Sequence, residues 1–595
     1  MTSPDLPGPE DVADALRSGV APSSLVDGDP TAPPAGGSSV GDQGGTEGVL
    51  TDAAASPAEA AAAGVTVRSA GGALLMPRDT ALEALRADGV AEKLAQKDPT
   101  LWGPDAATLA GTRLGWLDVV ETGRALLPQL QALAAELAGE GVDRVVLAGM
   151  GGSSLAPEVI CKTYDRPLVT LDSTDPAQVR AALSLGVAAD LERTVVVVSS
   201  KSGGTVETDS HRRAARAAFE AAGVDASRRI VVVTDPGSPL AATAEEEGVR
   251  ALFLADPDIG GRYSALSAFG LVPSALAGVD VASLLDDAEA VLPSLSDDDG
   301  PGLVLGAVLG GGAVAGRDKL VLAGAGAHGF GDWAEQLIAE STGKQGRGIL
   351  PVVVEGPDAP GTEPAADVHL CVLGGEVPQV GTAVAGPLGA QFVVWEYATA
   401  VAGRVLGIDP FDQPNVQESK DNTGAILGGD APAQLPVLFS ESGIEVSATG
   451  DLLAGVDSLA GALDALLHAV PERGYLAVMA YLDRAAEGRA AGLRALLAGR
   501  LAHPVTFGWA PRFLHSTGQF HKGGPQVGAF LQVTAAVQED LEVPGKPYTF
   551  GTLQAAQYDG DLRALASRDR PVLRLHLADR AAGLDALLTA ARGRS

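Results

Sequence analysis

The chain of 595 residues has a formal net charge of −33, 46% apolar residues and only 4% aromatic residues. A surface this acidic repels phosphate backbones and anionic headgroups, so we expect no nucleic-acid or membrane partner. Two cysteines are too few for a disulfide framework, and neither a signal segment nor an apolar run of membrane-spanning length occurs. These features predict a cytoplasmic protein.

Residues 1–65 differ in composition from the rest of the chain. They are rich in Pro, Gly, Ala, Ser and Asp, and they contain ten acidic residues against the single basic residue Arg17. Such a segment buries too little apolar surface to offset the entropy lost on ordering. We therefore expect a disordered acidic tail over residues 1–65.

The next part of the chain, residues 66–285, alternates between strand and helix patterns. Leucines recur at helical spacing between Leu126 and Glu140, and short β-branched runs follow, separated by Ala-rich segments. This alternation is typical of βαβ units with a parallel sheet. The predicted strands of this first domain are Val145–Leu147, Leu168–Leu171, Val195–Val198, Ile230–Thr234 and Ala251–Leu254.

A second cycle begins after residues 280–318, where the Asp- and Gly-rich stretch 297–302 breaks the pattern. Residues 286–595 then form the second predicted domain, which has a long helix over Leu388–Leu406 and a C-terminal extension. The chain as a whole is predicted to be an α/β protein of two doubly wound parallel-sheet domains, each an α-β-α sandwich. The predicted strands of the second domain are Leu320–Ala323, Leu350–Val354, Val368–Leu373, Leu476–Tyr481 and Val572–Leu577.

The loop after Val195–Val198 has the composition of a phosphate-binding site. It brings Ser200, Lys201, Ser202 and Thr205 to the start of a helix, where hydroxyls, amides and the helix dipole favour a phosphate monoester. A Gly/Ser-rich turn without a ligand is the alternative for such a loop taken alone. Ligands of open α/β sheets bind beyond the carboxyl ends of the strands, which is where this loop is expected.

Five segments, in this order, resemble the motifs of the phosphoglucose isomerase family, a branch of the sugar isomerase-domain superfamily. The resemblance implies reversible aldose–ketose isomerisation of glucose 6-phosphate and fructose 6-phosphate through a cis-enediolate. It further implies a sugar-phosphate ligand, no cofactor, no required metal and a homodimer with shared active sites. The five segments are Gly149–Ser154, Ser199–Thr208, Gly260–Ser264, Gln336–Lys344 and Phe411–Lys420.

The family motifs assign roles to individual residues of this sequence. Glu340 matches the base that moves a proton between C1 and C2, and Arg262 matches the cation beside the enediolate oxygen. Gln413 and Lys420 match ligand contacts, with Lys420 at the ring oxygen. The remaining matched positions are Gly152 for the substrate, and Ser153 and Gln336 for the phosphate, together with the hydroxyl loop.

The histidine that opens the sugar ring is harder to place. His369 lies between the Glu340 and Gln413 motifs, as in the family, but inside an apolar run. His515 lies in a segment similar to the family's histidine motif, although here it follows Gln413, an order that resembles the isomerase part of fused transaldolase–isomerase proteins. We prefer His515, contributed to the site of a partner subunit.

Two other functions remain compatible with these residues. A non-catalytic sugar-phosphate sensor needs the phosphate loop but not Glu340, Arg262 and Lys420. A dual isomerase would also accept mannose 6-phosphate, since the choice between C2 epimers depends on hydroxyl contacts that the sequence does not locate.

Overall fold

The computed structural model describes residues 58–324, 329–430 and 435–593, which form three mainly parallel β-sheets covered by helices. The expected acidic tail falls largely outside these residues. In the part of the chain that is described, no helix is both long and apolar enough to cross a bilayer.

The first sheet has five parallel strands in the order β4-β3-β5-β6-β7. Because the chain moves outward in opposite directions from β3 and β5, the loops that follow these two strands meet at a topological switch point. Alternate residues of the buried Val-rich strands pack into different apolar clusters on the two faces, as in a doubly wound sheet. The strands are β3 Arg144–Gly149, β4 Val169–Leu171, β5 Thr194–Ser199, β6 Ile230–Thr234 and β7 Ala251–Leu254. The helices of this region are Val119–Gly139, Leu155–Thr163, Pro176–Ala182, Ala188–Glu192, Val206–Ala221, Pro239–Glu247, Ala268–Leu276 and Val281–Val291.

The second sheet has the order β1-β2-β11-β10-β8-β9, with β8 to β11 parallel and β1 and β2 joined antiparallel at one edge. The predicted long helix Leu388–Leu406 is buried along its whole length. The strands are β1 Ala58–Ala62, β2 Val65–Ala70, β8 Lys319–Ala323, β9 Leu350–Val353, β10 Val368–Leu373 and β11 Gly381–Ala385. The accompanying helices are Gly72–Ala87, Val90–Ala95, Ala107–Ala110, Pro301–Val314, Phe330–Thr342, Leu388–Leu406 and Val416–Leu427.

The C-terminal residues form a third sheet of their own, in the order β12-β13-β17-β16-β14-β15. One face packs on its own helices, and the other shares an apolar cluster with the second sheet. The strands are β12 Phe439–Glu441, β13 Ile444–Ala448, β14 Tyr475–Ala480, β15 Val505–Trp509, β16 Gly528–Ala535 and β17 Val572–Leu577. The helices are Leu459–His468, Gly492–Ala498, Gly518–Gly523, Phe550–Ala566 and Arg580–Ala591.

The α/β class with doubly wound, parallel-dominated sheets is confirmed, and two details of the expected organisation change. The tail boundary at residue 65 is too late, because Ala58–Ala62 pairs with β2, whose Val65 and Val67 are completely buried. The strand predicted at Leu476–Tyr481 does not extend the second sheet but belongs to the third, where it pairs with β16 and the edge strand β15. Side-chain patterning identified the strand but carried no information on which sheet it joins.

Buried ion pairs attach the third sheet region to the first. Arg512 binds both Glu158 and Asp172, and Arg484 lies 3.3 Å from Glu158. Burial opposes ionisation of Glu158, but the neighbouring guanidinium groups hold its pKa below its usual range. Removing one partner of such a buried pair typically costs about 3–5 kcal/mol. The attachment of the third region to the first therefore depends on both the arginines and the carboxylates of these ion pairs.

Candidate active site

The glycine turn after β3 brings three parts of the chain into contact. Gly151 has φ +54°, and a Cβ there would lie 2.7 Å from Gln336 Nε2 and 2.9 Å from the His515 carbonyl oxygen. A Cβ on Gly152 would lie 2.0 Å from the Gly261 carbonyl oxygen. These positions need glycine because the backbones of separate regions touch here. Ser153 is buried in the same turn.

The hydroxyl loop follows β5, which is paired with β3 up to Gly149 opposite Ser199. Ser200 Oγ and Thr205 Oγ1 lie 3.1 Å apart, and Ser202 is exposed. The helix Val206–Ala221 begins after Thr205, so its first amides face the loop. Hydroxyls and amides thus form an anion-binding arrangement.

Lys201 does not join this arrangement. Its Nζ lies 2.6 Å from Asp235 Oδ2 and donates to the Pro257 carbonyl oxygen at 3.1 Å. The ammonium group therefore ties the loop to the ends of β6 and β7, and it is absent from the lining of the adjacent cleft. Lys201 is therefore part of the predicted phosphate loop, but its ammonium group points to Asp235 and not into the cleft.

Glu340 is held between two predicted site residues. Its carboxylate is 7% exposed, with Oε1 3.2 Å from Arg262 Nη1 and Oε2 accepting a hydrogen bond from Gln336 Nε2 at 3.0 Å. Gln336 and Glu340 share one face of the helix Phe330–Thr342, as their spacing predicts. Gln336 Nε2 also donates to the His515 carbonyl oxygen at 2.8 Å.

Arg262 connects Glu340 to the segment that carries Gln413. Its Nη1 donates to Gln413 Oε1 at 3.1 Å, and its Nη2 donates to the carbonyl oxygens of Pro410 and Asp412. The guanidinium fork therefore fixes the approach of this segment to the carboxylate. Arg262 itself is 4% exposed.

Lys420 lies on the helix Val416–Leu427, which packs on the helix Phe550–Ala566 of the third region. A Cβ on Gly560 would lie 3.0 Å from Thr423 Oγ1, so the small residue allows the close approach of the two helices. Arg568 and Glu418 form an ion pair at 2.6 Å across the same contact. The third region thereby supports the helix that presents Lys420 to the cleft.

His515 enters the cleft from a short 3-10 turn, Arg512–His515, that follows β15. Its Nε2 lies 2.9 Å from Glu207 Oε1 of the same chain. Burial would raise the pKa of Glu207, but His515 and, more weakly, Lys420 lower it to about 2. In this structure His515 therefore reaches the cleft of its own chain, whereas the sequence analysis expected it to enter the site of a partner subunit.

His369 occupies a different environment. It is 3% exposed within β10, and its Nε2 lies 2.8 Å from Thr382 Oγ1. Burial, aided by Arg317, lowers the pKa of His369 to about 3. His521 is likewise buried, with its Nδ1 2.9 Å from the Tyr475 hydroxyl. Neither histidine lines the cleft that His515 lines.

A cleft of about 480 Å³ lies between the three regions of the chain. Glu340 and Arg262 do not line this cleft but lie behind it. Arg262 donates a hydrogen bond to Gln413, and Gln336 links Glu340 to the His515 carbonyl oxygen. Within the described ranges, no group of three or more His, Cys, Asp or Glu side chains is placed to hold a metal ion. Predicted residues that line the cleft are Ser202, Thr205, Gln413, Lys420 and His515.

Among the cleft residues that the sequence analysis did not identify, Glu207 and Gln557 are linked by a hydrogen bond next to His515. Glu207 belongs to the Thr-Val-Glu-Thr end of the hydroxyl loop, so its motif was present but was interpreted only as a phosphate site. Gln557 lies on the helix Phe550–Ala566 and donates to Glu207 Oε1 at 2.7 Å. A single glutamine in a helix carries no sequence signal of this contact.

The doubly wound first sheet and the cleft bring together a hydroxyl loop, a histidine and, behind them, a buried carboxylate. The family model described as phosphoglucose isomerase matches residues 130–293. The chain is 28% identical over 400 residues to the probable glucose-6-phosphate isomerase of Haloarcula marismortui, covering 56% of this chain and 90% of that protein. The chain is therefore similar to glucose-6-phosphate isomerases over about half of its length.

A second relative and a solved structure are also similar to this chain. The glucose-6-phosphate isomerase of Cyanothece sp. is 30% identical over 311 residues, which cover 49% of this chain and 58% of that protein. A crystal structure of a glucose-6-phosphate isomerase from Chlamydia trachomatis aligns with a TM-score of 0.49 and 18% identity, covering 62% of this chain and 89% of that one.

Proposed function

We propose that the protein is a glucose-6-phosphate isomerase that interconverts glucose 6-phosphate and fructose 6-phosphate, the step that glycolysis and gluconeogenesis share. The observation that carries this function is the placement of Glu340 between Arg262 and Gln336, next to a cleft that begins at a hydroxyl loop. A sugar-phosphate sensor needs the loop but has no use for a buried carboxylate paired with a guanidinium.

Each step of the reaction has a group in or behind the cleft. Ser200, Ser202 and Thr205, with the helix amides, hold the phosphate. His515 transfers a proton at the ring oxygen, assisted by Lys420, and the sugar opens. The Glu340 carboxylate then moves a proton between C1 and C2.

Arg262 stabilises the oxygen charge of the cis-enediolate that forms between these two proton transfers. No electron leaves the sugar, so the reaction needs no redox partner. Both cysteines are free and buried, in keeping with the cytoplasm as the proposed compartment.

The function is tested by adding fructose 6-phosphate to the purified chain and measuring glucose 6-phosphate and mannose 6-phosphate separately with coupled enzymes. We expect glucose 6-phosphate to form. Formation of both epimers at similar rates would identify a dual isomerase, and formation of neither would reject the catalytic proposal.

A loop variant tests the phosphate site. Replacing Ser200, Ser202 and Thr205 together with alanine should raise KM far more than it lowers kcat, because phosphate binding is common to the ground and transition states. Each lost contact to the dianion should cost about 1.5–3 kcal/mol. Ser210→Ala is a matched control, since this hydroxyl bonds only within its own helix. An unchanged KM in the triple variant would place the phosphate elsewhere.

A further inference from the structure

One oxygen of the Glu207 carboxylate accepts two hydrogen bonds. His515 Nε2 lies 2.9 Å from Oε1, and Gln557 Nε2 lies 2.7 Å from the same atom. Gln557 Oε1 in turn accepts a hydrogen bond from Thr174 Oγ1 at 2.7 Å. Thr174, Glu207 and Gln557 are all nearly inaccessible to solvent. A continuous chain of hydrogen bonds therefore runs from the first sheet region, through the third, to the cleft histidine.

The chemistry of this chain of bonds settles the direction of each one. A carboxylate oxygen only accepts, so Gln557 must turn its N–H group towards Glu207 and its carbonyl oxygen towards the Thr174 hydroxyl. The same oxygen faces His515 Nε2, which must then carry a hydrogen. The other ring nitrogen, Nδ1, is left to exchange a proton with a molecule in the cleft.

Gln557 differs from a neighbouring glutamine on the same helix. Gln554 lies one turn earlier and is equally buried, but its Nε2 has no hydrogen-bond partner among the described residues. Helix packing alone therefore does not explain the placement of the Gln557 amide. The N–H group of the Gln557 amide meets the Glu207 carboxylate, and its carbonyl oxygen meets the Thr174 hydroxyl.

We propose that Gln557 is a positioning residue that acts through Glu207 to hold His515 as its Nε2–H tautomer. The proposal rests on the function proposed above, in which His515 serves ring opening. Gln557, from the third sheet region, thereby fixes which ring nitrogen of His515 carries the hydrogen. It does so through Glu207, which belongs to the first sheet region.

The kinetic test is a double-mutant cycle. Gln557→Leu keeps a similar volume and removes the amide, and we expect kcat with fructose 6-phosphate to fall by at least about tenfold, with little change in KM. In a His515→Ala background the same substitution should have almost no further effect, since the residue acts only through the histidine. Gln554→Leu, the matched control, should retain the parent kcat. An equal loss in both backgrounds, or no loss in the parent, would overturn the proposal.

A second variant covers the case in which Gln557→Leu does not fold. Thr174→Val removes only the hydroxyl that orients the amide, so its kcat should fall in the same direction by a smaller factor. An unchanged kcat in a folded Thr174→Val protein would contradict the hydrogen-bond chain.

A spectroscopic test does not depend on turnover. With 15N-labelled histidine, the resonance that disappears in His515→Ala should show the Nε2–H tautomer in the parent and should shift towards the other tautomer in Gln557→Leu. An identical signal in both proteins would refute the positioning role. If the parent protein has no isomerase activity but the signal still shifts between the parent and Gln557→Leu, the proposed function is rejected and the positioning role stands.

Discussion

Two histidines of this chain lie in opposite environments. His369 is enclosed in β10 beside a neutral hydroxyl, and its burial lowers its pKa to about 3. His515 lies on a turn at the end of β15, beside the ionised Glu207 and facing the cleft. The difference teaches that the hydrogen-bond partner and the solvent access of a histidine decide what chemistry it can perform.

The largest effect is expected from Glu340, the proposed proton shuttle, which lies behind the cleft that His515 lines. Glu340→Gln should lower kcat by at least about 10³-fold, since the amide keeps the shape but cannot take the proton. Affinity for a phosphorylated sugar acid, measured by calorimetry, should change little.

Glu335→Gln is the control for Glu340→Gln on the same helix. Burial and the nearby Asp332 raise the pKa of Glu335 well above its usual value, so the amide resembles the protonated acid that is present. Its kcat should match that of the parent. Turnover of Glu340→Gln within about threefold of the parent would exclude this residue as the proton shuttle.

His515→Ala should have the next largest effect. We expect kcat with the cyclic substrate to fall by about 10²-fold, because ring opening loses its proton donor. The melting temperature should fall as well, because the buried Glu207 carboxylate loses the imidazole and keeps its hydrogen bond from Gln557. Steady-state kinetics and a thermal melt measure the two quantities, and a full-rate His515→Ala enzyme would erase the contrast with His369.

His369→Ala should affect stability and leave catalysis intact. We expect the free energy of unfolding to fall by roughly 1–3 kcal/mol, because a buried side chain is lost and the Thr382 hydroxyl keeps only its longer, 3.5 Å contact with the Ser69 hydroxyl. Denaturant titration measures this loss, and kcat at low temperature should equal that of the parent. A folded His369→Ala protein without activity would reverse the assignment of the two histidines.

The same residue predicts a pH dependence of stability. The pKa of His369 is about 3 in the folded chain and about 6.5 when unfolded, so the unfolded state binds more protons between these values. Stability is fully present above pH 6.5 and is lost as the pH falls, with a slope approaching about 1.4 kcal/mol per pH unit. His369→Gln should reduce this slope in unfolding titrations between pH 6 and pH 4, and an unchanged slope would show that the group does not titrate as described.

The smallest effect is an expected absence of change. Mixing His515→Ala with Glu340→Gln chains should restore no activity, because both residues serve the cleft of one chain. Co-expression with two affinity tags and purification through both gives proven mixed assemblies for the assay. Recovery of activity there would show that the histidine crosses between subunits.

Much of the fold was predictable where strands are buried on both faces. The runs at β5, β6 and β10 are continuous and β-branched or apolar, and their predicted bounds agree with the structure to within a residue or two. In contrast, β16 was not predicted, although all its residues are buried. Its Gln532 and Thr534 bond to Arg574 and His576 of the adjacent strand, so polar side chains interrupt the apolar pattern.

The site was predictable to the extent that its residues lie in motifs. Glu340, Arg262 and Gln413 are brought together as the motif order suggested. Lys201 belongs to a motif but bonds to Asp235, a contact that depends on the neighbouring strand. Gln557 could not be predicted, because its partners lie on distant parts of the chain and meet only after the third sheet has docked.

The arginines that attach the third sheet have a consequence for the order in which the protein is made. A growing chain that has emerged only through the second sheet already contains Glu340 and Arg262, but Glu158 and Asp172 still lack Arg512. Those carboxylates stay hydrated until the last region arrives, and His515 enters on the same turn as Arg512. Synthesis therefore delivers the proposed ring-opening group and the final attachment together, and we expect an interrupted polypeptide to be inert towards the cyclic sugar.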